Sequence, residues 1–223
     1  MKAKISDVSL VIATFNEEES IAFVLDELAK FNFYEIIVVD NYSTDKTLEI
    51  LSKYKVKTIN QSGKGWGNAV TDGFNLAKGK YISYMDGDGS YNPEGIVEML
   101  KEINDYDFVC CSRYKFNNKS VDDTLFRAFG NKIFTFICDR FLGLKLSDSL
   151  FFYPLIRKKD YKEIVPESNN FGLCIEIPLL LARNNLTYID VLSLERKRYG
   201  GKTKVNAISD GFKILLEIFR MYL

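Results

Sequence analysis

Two carboxylates separated by a single residue, Asp86 and Asp88, stand in the segment Met85-Asp86-Gly87-Asp88-Gly89-Ser90, directly after the apolar run at 80–85. Carboxylates at positions i and i+2, at the end of a parallel strand, would aim hard oxygen ligands into the crevice where open α/β sheets take their ligands. Glycines at 87 and 89 let a ligand approach the backbone closely. Mg2+ or Mn2+ bridging the two carboxylates and a pyrophosphate suits this donor set, because both cations prefer oxygen and retain phosphate and water ligands. Read alone, Asp-Gly-Asp-Gly is more simply turn chemistry than a metal site.

The 223 residues contain no histidine, which excludes Ser-His-Asp and Cys-His nucleophilic catalysis, imidazole bases and histidine-held zinc. Chemistry must come from carboxylates, Arg, Lys, Tyr, hydroxyls or an oxygen-bound metal. Lys and Arg together number 30, matching 30 Asp and Glu, and no basic arm is present, so nucleic acid is not an expected partner. Cys110, Cys111, Cys138 and Cys174 lack C-x-x-C spacing and are expected as buried small hydrophobes in a reducing compartment. No signal-type apolar core precedes Asp7, and the longest apolar run, 150–156, falls far short of the roughly 18 residues that span a bilayer. The expected location is cytoplasmic. Gly201-Lys202-Thr203 imitates the end of a phosphate loop, but Arg196 stands where that motif needs glycine; in Gly63-Lys64-Gly65-Trp66-Gly67 the third glycine comes one position early for a dinucleotide fingerprint.

Elements able to position these groups follow from hydrophobic periodicity. Runs at 8–13, 35–39, 56–59, 80–85 and 107–111 are rich in Val, Ile and aromatics and bounded by turn residues, as in strands buried on both faces. Helical spacing appears at 20–30, 45–54 and 69–77, and Asn92-Pro93-Glu94 opens a helix to about 103. Further on, helices are predicted over 123–142, 172–184 and 205–223, with strands at 150–156 and 187–194. Alternation of this kind predicts an α/β fold with a Rossmann-type, mostly parallel sheet covered by helices on both faces. One domain over 1–204 is expected, followed by an amphipathic helix over 205–223. Phe212, Leu215, Leu216, Phe219 and Tyr222 share one face of that helix, which would either lie in a membrane interface or pack on a protein surface.

Four ordered blocks resemble the signature of family 2 glycosyltransferases with the GT-A fold: Val11-Ile12-Ala13-Thr14-Phe15-Asn16-Glu17-Glu18, Val38-Val39-Asp40-Asn41-Tyr42-Ser43-Thr44-Asp45, Gly63-Lys64-Gly65 and Met85-Asp86-Gly87-Asp88. In the second half, Cys111-Ser112-Arg113-Tyr114, Arg127, Asp148, Glu176 and Arg198-Tyr199-Gly200-Gly201-Lys202-Thr203-Lys204 resemble the dolichyl- or polyprenyl-phosphate hexose synthase branch. The resemblance implies that Ala13, Phe15, Glu17 and Gly65 line a nucleotide, with Asp40 near its base or ribose. It implies that Asp86 and Asp88 hold a divalent metal on the diphosphate, with Ser90 as a weaker third contact. Arg113, Arg127, Arg198 and Lys204 would surround the acceptor phosphate and the leaving diphosphate. Ala13 departs from the usual proline, Asn41 replaces the second acid of the common Asp-Asp pair, and Thr203 stands for Ser.

The implied reaction is inverting transfer of a hexose from a nucleotide-diphosphate sugar to a polyprenyl phosphate, with peripheral contact at the cytoplasmic membrane face. A phosphate monoester is already anionic near neutral pH and can attack without a general base, so such a site needs cations more than a base. Arg supplies a planar, permanently charged fork for phosphate oxygens. The Q-x-x-R-W element common among relatives that glycosylate sugars is absent. Two other readings stay open: a soluble transferase acting on a glycan or small acceptor, and a non-catalytic sugar-nucleotide-binding module.

Overall fold

A computed structural model of the chain describes residues 2–118, 120–121, 124–201, 203–204 and 206–223. Seven strands form one sheet: β1 (Val8–Thr14), β2 (Glu35–Asp40), β3 (Lys57–Asn60), β4 (Tyr81–Asp86), β5 (Phe108–Ser112), β6 (Pro154–Arg157) and β7 (Tyr188–Leu192), in the order β3-β2-β1-β4-β6-β5-β7. All pairings are parallel except those of β6, which runs antiparallel to both β4 and β5. The central strands are apolar on both faces because helices cover both. Two departures from the predicted strands have simple causes. β3 is an edge strand and largely exposed rather than doubly buried. β6 begins at Pro154, four residues later than predicted, and the aromatic residues 151–153 before it pack into the core instead of joining the ladder.

The helices are α1 (Ile21–Leu28), α2 (Thr47–Leu51), α3 (Trp66–Leu76), α4 (Glu94–Glu102), α5 (Leu125–Ile137), α6 (Lys158–Tyr161), α7 (Leu173–Arg183) and α8 (Ala207–Tyr222). α5 continues as one wider turn, Cys138–Leu142, and stops at Gly143, whose φ of 70° suits glycine and ends the helix. The helix starts predicted at Asp123 and Val205 lie outside the described residues. α8 begins with the Asn206 side chain accepting from the backbone N–H groups of Ile208 and Ser209, at 3.2 and 3.0 Å.

The fold sets the location of chemistry through connectivity. β1 lies between β2 and β4, so the chain leaves it in one direction and later returns on the other side, which opens a crevice at the carboxyl ends of β1 and β4. Register places Ala13 of β1 opposite Asp86 of β4. The loops carrying Phe15 to Glu17 and Asp86 to Ser90 therefore emerge side by side. Among the described residues, no helix is long and apolar enough to cross a membrane.

Candidate active site

At the end of β4 the two acids have different surroundings. Asp86 receives a hydrogen bond from the Tyr84 hydroxyl on Oδ1, and burial together with the neighbouring Asp88 raises its pKa to about 7. Asp88, the less exposed of the two, accepts on Oδ1 from the Ser90 backbone N–H at 2.8 Å and from the Ser90 hydroxyl at 2.7 Å. Its Oδ2 faces the Arg198 guanidinium at 2.8 Å. Ser90 thus orients the Asp88 carboxylate. Gly89 has φ of 82°, and a Cβ there would sit 2.9 Å from the Tyr199 Cβ, so this turn requires glycine both for its backbone and for the segment lying over it.

That segment, 193–204, is stitched across the strand ends. Arg196 N–H donates to the Ser90 carbonyl and Tyr199 N–H to the Asp88 carbonyl, both at 2.9 Å. Arg196 forks onto both Glu27 oxygens at 2.8 Å, and Tyr199 stacks on Phe23 with centroids 4.1 Å apart. Lys204 pairs with Glu17 Oε1 at 2.6 Å and donates to the carbonyls of Phe15 and Asn16. Arg198 also lies 3.8 Å from Glu17. Two cations from the C-terminal segment therefore balance two buried acids from two different strand ends. Lys202, predicted in this run, lies outside the described residues.

The remaining expected site residues fall into two spaces. Phe15, Asn41, Tyr42, Lys64 and Gly65 border an open cleft at the exits of β1, β2 and β3. Gly65 has φ of 95°, and a Cβ there would meet the Asn169 carbonyl oxygen at 2.2 Å, so the loop closes tightly against 168–169. Asp40, expected beside a base or ribose, stands at the end of β2. It is 0% exposed, and its carboxylate accepts from Thr14 Oγ1 at 3.2 Å and from Ser43 N–H and Oγ at 2.8 and 2.5 Å, so it holds the turn after β2. Ala13 is half-buried at its register position beside Asp86.

The second space is a cavity of about 560 Å3 between the sheet, α5 and α8. Asp86, Asp88, Arg113, Arg127 and Arg198 border it together with a wall of aromatic and aliphatic side chains. The four expected cations thus divide: three border this cavity, while Lys204 binds the loop after β1. Arg113 is itself engaged in a bidentate pair with buried Asp148, at 2.8 and 2.9 Å, and lies 4.8 Å from the Phe151 ring centroid. Asn131 donates to the same Asp148 at 2.8 Å, and its Oδ1 reaches no hydrogen-bond partner although it is buried. Sequence reasoning did not find Tyr84, Trp66 or Asn131, because nothing in a buried aromatic or a helical amide marks it as polar machinery before its neighbours are known.

Asp86 and Asp88 form a hard-oxygen pair, and among the described residues no group of three or more His, Cys, Asp or Glu could hold a metal. The pair fits a cation that completes its shell with phosphate oxygens and water, and the guanidinium against Asp88 marks the position as one that accepts positive charge.

Residues 9–165 match the family model described as Glycosyl transferase family 2. The chain is 27% identical over 216 residues to glycosyltransferase AglJ of Haloferax volcanii, covering 96% of this chain and 71% of that protein. It is 38% identical over 116 residues to dolichol-phosphate mannosyltransferase of Pyrococcus furiosus, covering 48% of this chain and 33% of that one. Its fold is similar to that of glucosyl-3-phosphoglycerate synthase from Mycobacterium tuberculosis, solved with Mn2+, UDP and glucosyl-3-phosphoglycerate, with a TM-score of 0.75 over 96% of this chain and 79% of that chain at 15% identity.

Proposed function

Because the chain belongs to glycosyl transferase family 2, we propose that it moves a hexose, with inversion, from a nucleotide-diphosphate sugar to a polyprenyl phosphate. The observation that carries this reading is the cavity bordered by Arg113, Arg127 and Arg198, by the acids Asp86, Asp88, Glu195 and Asp210, and by many aromatic and aliphatic side chains. Such a lining supplies both cations for a phosphate and apolar surface for a hydrocarbon chain. The relative from Pyrococcus furiosus, named for dolichol phosphate, agrees with that chemistry.

In this reading the donor nucleotide lies along the cleft bordered by Phe15 and Gly65, with Glu17 beside it. Mg2+ or Mn2+ held by Asp86 and Asp88 would neutralise charge on the diphosphate. Arg127 and Arg198 draw the acceptor phosphate toward the sugar, offsetting the repulsion between two anions, and no general base is required because the acceptor is already ionised. Arg113, fixed on Asp148 and 3.4 Å from Glu195, borders the cavity as a guanidinium whose charge those two acids balance. Arg198 stands between the cavity and Glu17, where it can balance whichever anion is present.

Peripheral membrane contact belongs to the same proposal. α8 buries Ile214, Ile218 and Met221 in the core while Phe212, Leu216, Phe219 and Tyr222 stay exposed, and α5 exposes Leu125, Phe126, Phe129, Ile133 and Phe136 beside it. The helix is both a packing element and the carrier of an exposed apolar face. Its cations are engaged: Arg220 pairs with Glu167, Glu176 and Glu217, and Lys213 with Asp210, so apolar contact rather than charge would dominate any binding.

A phosphorylated water-soluble acceptor is the second reading, favoured by the structural neighbour solved with a glucosylated phosphoglycerate. Incubating the protein with Mn2+, radiolabelled GDP-mannose or UDP-glucose, and both a polyprenyl phosphate and 3-phosphoglycerate decides between them. Butanol-extractable label is expected. Label found only in water-soluble product overturns the lipid acceptor.

A further inference from the structure

Trp66 opens α3 immediately after the glycine loop, and its Nε1–H donates to the Tyr84 hydroxyl at 2.7 Å. Tyr84 hydroxyl in turn donates to Asp86 Oδ1. The polarity of this chain is fixed by chemistry: an indole N–H can only donate, so it occupies an acceptor position on the phenol oxygen, and the single phenol proton is left for the carboxylate. Neither ring can drift. Tyr84 is fully buried, and Trp66 stacks on Phe171 at 5.2 Å while meeting Tyr84 and Phe152 edge-on at 5.3 and 5.6 Å.

From this geometry we infer that Tyr84 and Trp66 are positioning residues for the cation: their relay fixes the rotamer of Asp86, engages one of its oxygens, and leaves the other for the metal. Asp88 Oδ1 is held by Ser90, so each acid of the pair has its own fixed donor, while Asp88 Oδ2 faces Arg198, which a cation at that oxygen would displace toward Glu17. The relay also ties the glycine loop to the metal ligand. Trp66 follows Gly65, whose loop is clamped by Gly67 N–H donating to the Asn169 carbonyl at 3.0 Å and borders the open cleft. A nucleotide in that cleft would bear on Trp66 and, through Tyr84, on Asp86.

This inference rests on the proposed metal role of Asp86 and Asp88, and the test separates the two. Mn2+ is titrated into wild type, Tyr84→Phe, Trp66→Phe and Asp88→Asn in the presence of UDP and, separately, of GDP, and free Mn2+ is counted by electron paramagnetic resonance. Wild type is expected to bind, Asp88→Asn to lose binding, and Tyr84→Phe to bind about 10- to 100-fold more weakly, the usual effect of removing an outer partner of a metal ligand. Trp66→Phe, which frees the phenol oxygen but keeps its proton, should fall between. In turnover assays the Tyr84→Phe defect should be largely recovered at saturating Mn2+, a split that mere loss of packing would not produce. Mn2+ affinity equal to wild type in Tyr84→Phe, or in Trp66→Phe if the first variant does not fold, overturns the relay while leaving the metal reading intact. Wild type that binds no Mn2+ with either nucleotide removes the metal reading and the relay with it.

Discussion

Asp88 serves two partners at once, since one oxygen is held by Ser90 and the other faces Arg198. Asp88→Asn keeps an oxygen for Ser90 but removes the charge, so it should preserve the fold, with Arg198 still beside Glu17, while transfer falls by on the order of 100-fold, about 3 kcal/mol of lost charge stabilisation. Initial rates beside a thermal melt check this; unchanged rates would remove Asp88 from the reaction. The arginines separate in the same way. Arg127→Ala should slow transfer about tenfold or more through loss of a charge-assisted phosphate contact and leave the melting temperature within a few degrees. Arg113→Ala should chiefly destabilise, by about 3–5 kcal/mol, because it strands the buried Asp148 carboxylate in urea-unfolding experiments. Equal stability of the two variants would show that the Arg113 pair is not structural.

At the scale of elements, α8 has two apolar faces with different tasks. Ile214, Ile218 and Met221 belong to the core, so cutting the chain before them would damage the domain whatever the role of the outer face. Phe212 and Phe219, at 62% and 58% exposure, test that outer face without disturbing the core. Burying an aromatic side chain of this size is worth about 1.5–3 kcal/mol, so Phe212→Glu with Phe219→Glu should weaken co-sedimentation with liposomes by on the order of 100-fold or more at unchanged melting temperature. Equal sedimentation of the double variant and wild type would return the helix to a purely packing role.

For the molecule as a whole, stability depends on keeping buried thiols and phenols neutral. Burial raises the pKa of Cys138 from 9.0 to about 11 and pushes Cys110, Cys111 and Cys174 upward as well. Burial likewise raises Tyr84, Tyr91 and Tyr153. Each folded value exceeds the unfolded one, so this contribution is complete below about pH 9, where unfolded thiols begin to ionise, and for Cys138 it is lost as pH rises from 9.0 toward about 11. Urea midpoints should therefore fall between pH 8 and pH 10.5. The four thiols should also resist a charged disulfide reagent until denaturant is added; a native protein that reacts at once, with a midpoint unchanged by alkali, contradicts the argument.

The strands, most helices and the Asp86–Asp88 turn were legible from the chain because they follow from local periodicity and turn chemistry: β1, β2, β4 and β5 lie within one or two residues of their predicted runs. Family resemblance likewise came from local blocks, each lying at a strand end or in a loop. What remained hidden depends on which distant residues meet. The partners of Asp40, Thr14 and Ser43, and those of Arg113, which gives Nε and Nη2 to Asp148, 35 residues on, and Nη1 to Glu195, cannot be read from the chain. The helix face read from 205–223 was the exposed one, while the face that packs is set by Ile214, Ile218 and Met221. Periodicity establishes that a helix has an apolar side. Which of two apolar sides is buried, and which acid neutralises which base, is decided by long-range packing, where desolvation makes an unpaired charge too costly to leave alone.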